Sequence, residues 1–158
     1  MRARRLARIA GTMATEVYFG SGASGPPEPD ESLVTSARQR RFLDEAGPLL
    51  DDLARIGLPG MAHSLVETYE KLLPLEPRTL FLRIAAVVKG GERHGYQFES
   101  LAASTLVGVV ERFLAEHRSL VRRDKQCREA LLSVLNIFVR VGWPAAQRLT
   151  YRLDELSR

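Results

Sequence analysis

The chain is 158 residues long, with 45% hydrophobic and 27% charged residues, a formal net charge of +4 and a single cysteine, Cys127. These figures fit one soluble domain plus a tail; they exclude an intrachain disulfide, and no apolar run approaches the roughly 18 residues of a membrane span. A lone thiol points to a reducing, cytoplasmic compartment, and a charge of +4 is a small surplus for nucleic-acid binding.

Residues 1–32 stand apart from the rest. "MRARRLARIA" runs into "GSGASGPPEPDE", where Gly, Ser and Pro disfavour helix and strand, and apolar groups are too few to offset ordering entropy. This segment is expected to be a disordered tail. It lacks the apolar stretch of a secretory signal, and it also reads as upstream sequence placed before a truncated gene. Residues 33–158 are expected to form an all-α domain of antiparallel helical hairpins, stacked as a short solenoid or an irregular bundle.

Along that domain the apolar positions keep helical spacing. Leu33, Ala37, Arg40 and Leu43 mark a first, weaker helix. A second opens at Pro48, with Leu49, Leu50, Leu53 and Ile56 on one side. Met61, Leu65, Val66, Tyr69, Leu72 and Leu73 form a stripe with steps of three and four. "RTLFLRIAAVV" could be a buried strand, but Pro77 and Gly90-Gly91 bound a length that favours a short helix. Residues 97–123 read as one long helix, the longest, at the centre of the bundle. Inside it Gly108 costs about 1 kcal/mol relative to Ala unless a neighbouring helix packs closely there. Leu131, Leu132, Leu135, Phe138 and Val139 mark the next helix, and Leu149, Leu153 and Leu156 the last.

"LLDDLARIGLP" and "VLNIFVRVGWP" align without gaps. Each reads as a helix stop and restart: Gly57 or Gly142 takes the left-handed conformation, Leu58 or Trp143 folds back, and Pro59 or Pro144 opens the next helix. With a further corner near Gly95, the spacing approaches that of two-helix repeats. The same pattern also serves as generic hairpin chemistry.

"KGGERHGYQFES" concentrates glycines, His94, acids and aromatics, but it lacks the Gly-Lys-Ser/Thr ending of a phosphate loop and any second metal ligand at suitable spacing. It reads as a bend, with Tyr96 available to a partner. Cys127, one turn before Leu131, reads as a buried, inert thiol. Asp51 and Asp52 are adjacent on a helix and diverge by about 100°, so they cannot share a proton. No catalytic motif, cofactor site or metal site is found, and the chain is expected not to be an enzyme. Arg118 and Arg122, like Arg148 and Arg152, are four apart and line one side of a helix. They are the candidate partner-binding residues, toward phosphates or an acidic protein surface, although interleaved acids also fit a solvated face.

"GYQFESLA" and "GWPAAQRLTYRL" resemble the carboxy-terminal helical segment of large bacterial multidomain proteins with ATP-binding or effector domains upstream. The resemblance covers roughly residues 80–156. It implies no catalytic residues and suggests a detached end of a longer ancestor. The general shape is similar to HEAT-type repeats, without their usual Pro and Asp/Arg pattern. Together these readings point to a non-enzymatic module that docks a protein partner or a second copy of itself; the alternative is a nucleic-acid binder using the four arginines.

Overall fold

The computed structural model describes residues 29–57, 59–93, 100–143 and 149. Within them the chain is all α-helical: α1 Pro29–Ile56, α2 Pro59–Leu72, α3 Pro77–Arg93, α4 Ser100–Glu116, α5 Arg118–Arg123 and α6 Lys125–Arg140. α1, α2 and α3 each open on proline, whose missing N–H costs nothing in a first turn. No helix among the described residues is long and apolar enough to cross a membrane. The expected tail falls mostly outside the described residues, as do the corner at Gly95 and most of the expected last helix, of which Leu149 is described and buried.

Two corners form as expected. Gly57 has a φ of 65° and donates its N–H to the Leu53 carbonyl at 3.2 Å. Gly142 has a φ of 81°; there the Trp143 N–H reaches Phe138 O at 3.2 Å and the Gly142 N–H reaches Val139 O at 3.0 Å. This pair of bonds is a Schellman cap. The Trp143 ring folds back on Phe138 with centroids 4.8 Å apart. Leu58 and Pro144 lie outside the described residues.

α3 lies at the centre. Its most extensive contacts are with α2 and α6, and it packs on α1 as well, whereas α4 packs mainly on α2 and α5 and meets α3 through the rings of Phe113 and Phe81. The core runs through Phe42, Leu50 and Leu53 of α1, Leu65, Tyr69 and Leu72 of α2, and Leu80, Phe81, Ile84 and Val88 of α3. Leu106, Val109, Val110 and Phe113 of α4 and Leu131, Leu135 and Phe138 of α6 complete it.

The structure corrects five expectations. Pro48 does not open a helix but lies inside α1. It forfeits one helical hydrogen bond. The residue before it is Gly47, which has no Cβ to clash with the proline ring, and buried Phe42, Leu43, Leu50 and Leu53 hold both halves on the core. Gly90 and Gly91 do not end α3, which continues to Arg93. A Cβ at Gly90 would lie 3.1 Å from both the Ala54 carbonyl oxygen and the Gly57 Cα, so the missing side chain serves close packing of α3 on the end of α1.

The expected long helix over 97–123 is interrupted at His117. Hydrogen bonds still cross the bend, His117 N–H to Phe113 O at 2.8 Å and Leu120 N–H to His117 O at 2.9 Å, and Leu120 and Val121 pack partly buried against the core. The longest described helix is therefore α1, and the centre passes from α4 to α3. Finally, Leu49, Ile56, Leu132 and Val139 are exposed rather than inward-facing. Leu49, Leu132 and Val139 each neighbour a buried residue in sequence (Leu50, Leu131, Phe138), and one residue is a turn of about 100° round a helix.

Nothing among the described residues comes within 4 Å of where a Gly108 Cβ would sit. With no close neighbour among the described residues, the main effect of this glycine there is to lower the helix propensity of α4. Gly108→Ala is expected to raise unfolding free energy by about 1 kcal/mol, read as a shift in urea midpoint at unchanged slope.

Candidate functional site, a basic groove between α1 and α3

Arginine takes up carboxylates between helices. Arg40 of α1 meets Glu76 at 3.8 Å, Arg112 of α4 meets Glu70 of α2 at 3.0 Å, and Arg140 of α6 meets Glu92 of α3 at 2.6 Å. These pairs are largely solvent-facing and contribute at most about 1 kcal/mol each.

Two further arginines of α3 build more elaborate contacts. Arg83 grips Asp51 of α1 in a fork, Nε to Oδ1 at 2.7 Å and Nη2 to Oδ2 at 2.8 Å. Asp51 Oδ1 also accepts a long hydrogen bond, 3.5 Å, from the hydroxyl of Tyr69 on α2. Burial, and then the negative charge of Asp51, raise the Tyr69 phenol well above its ordinary pKa, so it stays protonated. The Arg83 guanidinium lies 6.0 Å from the Tyr69 ring centroid. Its Nη1 is buried without a hydrogen-bond partner among the described residues, close to Gly47. The knot ties three helices together.

Arg78 donates from Nε to Asp124 Oδ2 at 2.5 Å and from Nη2 to Gln126 Oε1 at 2.7 Å. Asp124 also caps α6, accepting the Cys127 N–H at 3.0 Å. The Arg78 hydrogen bond, and then the Cys127 amide, hold the Asp124 carboxyl below the usual carboxylate range.

Between α1 and α3 these side chains frame a groove of about 560 Å³. Asp51, Ala54 and Arg55 come from α1; Arg78, Thr79, Leu82, Arg83, Ala86, Lys89 and Arg93 come from α3. Among the described residues five cations therefore face one carboxylate. Arg78 and Arg83 are engaged as described, and Arg55 reaches Asp52 on its own helix at 2.9 Å. Lys89 and Arg93, both exposed, meet no carboxylate among the described residues.

Of the residues singled out by sequence, Arg118 and Arg122 lie exposed on α5, and the Arg122 carbonyl accepts a bond from Arg128 Nη1 at 3.3 Å. Arg148, Arg152 and Tyr96 lie outside the described residues, as does His94, so a face shared by all four arginines is not seen. Cys127 is fully buried, as expected, and burial pushes its thiol up. His63 pairs with Glu67 at 3.2 Å and His117 stands 3.9 Å from Glu116, on separate elements. Among the described residues no three His, Cys, Asp or Glu side chains gather as a metal site.

Sequence reasoning missed the groove. Its one local signal was the four cations against a single acid within Pro77–Arg93. Comparison with family models, curated proteins and solved structures finds no match for the chain.

Proposed function

We propose that the chain is a non-enzymatic helical protein-interaction module and that the groove between α1 and α3 is its docking surface. The observation that carries this reading is the groove's composition: cations line it together with Ala54, Leu82 and Ala86, and Lys89 and Arg93 are left without carboxylates among the described residues. The reactive groups nearby support it too. Asp51 is gripped by Arg83, and Tyr69 and Cys127 are buried.

The test is capture of a partner from lysate by the wild-type chain and two double variants. Lys89→Glu/Arg93→Glu is expected to lose capture, and Arg118→Glu/Arg122→Glu to keep it, all at an unchanged melting temperature. Equal capture by the groove variant overturns the reading. Nucleic-acid binding through Arg118, Arg122, Arg148 and Arg152 predicts the reverse: capture abolished by nuclease and by the α5 variant, with a steep salt dependence.

A further inference from the structure

We infer that the groove takes an acidic amphipathic helix of a protein partner, its apolar face on Leu82 and Ala86 and its carboxylates on Arg55, Lys89 and Arg93. The inference rests on the reading above, that the groove docks protein; what it adds is the chemistry of the occupant.

The shape of the strip comes first. Leu82, Ala86, Lys89 and Arg93 follow one another at steps of four, three and four, the spacing of a single helical face. Along α3 they cover about 16 Å at 1.5 Å per residue, three turns of a helix lying alongside. Ala86 is small and exposed, so a second helix axis can approach within the usual 8–10 Å or so. Apolar anchors at helical spacing in a groove of this kind are how amphipathic helices are held.

Charge then selects among helices. A purely apolar helix would cover Lys89 and Arg93 and strip them of water with nothing in return, which is costly for a charged group. Carboxylates four apart on the partner match Lys89 and Arg93, themselves four apart, while Arg55 meets a further one from the α1 side. Nucleic acid fits less well. Arg78 and Arg83 are committed to Asp124 and Asp51, and among the described residues no aromatic side chain lines the groove to stack a base.

The experiment is fluorescence anisotropy with the full chain and a labelled model peptide of about 18 residues, roughly 27 Å as a helix, carrying Leu on one face and Glu at four-residue steps on its edges. Two control peptides replace Glu by Lys or Leu by Ser, and a single-stranded oligonucleotide is the third control. The acidic amphipathic peptide is expected to bind, more weakly as salt rises from about 50 to 200 mM. Lys89→Glu/Arg93→Glu should weaken binding at least about tenfold, and Ala86→Gln, an exposed floor substitution, should weaken it without altering the salt dependence. Equal binding by the groove variant, equal binding of the Ser peptide, no binding of the acidic peptide, or preference for the Lys peptide or the oligonucleotide would each overturn the inference. If lysate capture remains sensitive to Lys89→Glu/Arg93→Glu while the acidic peptide fails, the acidic helix falls and protein docking stands. If capture is insensitive as well, both fall.

Discussion

Phe113→Ala is expected to lower the unfolding free energy by about 3–5 kcal/mol. Phe113 is fully buried on α4, and its ring stacks on that of Phe81 on α3, centroids 3.8 Å apart and planes within 4°. A second ring, that of His117 at the bend, stands 5.4 Å away. Removing the Phe113 ring strips one face of Phe81 and leaves a void between the two helices. Partial collapse sets where in the range the cost falls. α4 is itself pinned by Leu106, Val109 and Val110, which limits how far it can settle into the gap. A domain of this size has about 5–15 kcal/mol of stability in all, so the variant should sit near its unfolding threshold at 37 °C. Phe113→Leu keeps most of the volume and should lose less than half as much. Urea denaturation of both variants reads the difference; a loss under about 1 kcal/mol for Phe113→Ala would mean that α4 does not rest on α3 through this stack.

The helices were legible in the sequence because burial on one side imposes a period near 3.6 on apolar residues. Leu65, Tyr69 and Leu72, and equally Leu131, Leu135 and Phe138, appear at that period and are buried. Gly57 and Gly142 were legible for another local reason: a positive φ is costly for any residue with a Cβ. What failed was whatever depends on a neighbour distant in sequence. Pro48 carries a local stop signal, yet α1 runs through it because buried side chains on either side hold it to the core. The Gly90-Gly91 pair looks like a helix end and is instead a place where another backbone comes close.

The candidate site divides in the same way. Arg118 and Arg122 could be paired by counting, since they share one helix. Arg55 could not be joined to Lys89 and Arg93 by counting, because the groove exists only once α1 lies across α3. Other arginines, which no count along the sequence singled out, hold helices together through Asp51, Glu70, Glu92 and Asp124.

Gly90 gives the second large effect, and it bears on the groove as well as on stability. Gly90 is helical, so a side chain there meets no backbone strain, and Ala or Val would raise local helix propensity by several tenths to about 1 kcal/mol. Opposing this, the new Cβ would sit 3.1 Å from the Ala54 carbonyl oxygen and from the Gly57 Cα, both backbone atoms. Neither can swing aside as a side chain end would. Gly57 is moreover fixed at a positive φ of 65° by its role in the corner. Contact should therefore outweigh propensity: Gly90→Ala is expected to cost about 1–2 kcal/mol net and Gly90→Val about 3 kcal/mol. The sign is opposite to that of Gly108→Ala, although both glycines lie within helices, and the contrast isolates packing from propensity. Relief of the clash requires α3 to back away from the end of α1, which carries Arg55 away from Lys89 and Arg93. Gly90→Ala should thus also weaken the acidic peptide severalfold at temperatures where the variant remains folded. If Gly90→Ala instead stabilised the protein as Gly108→Ala does, α1 and α3 would not be in the close contact on which the groove is built.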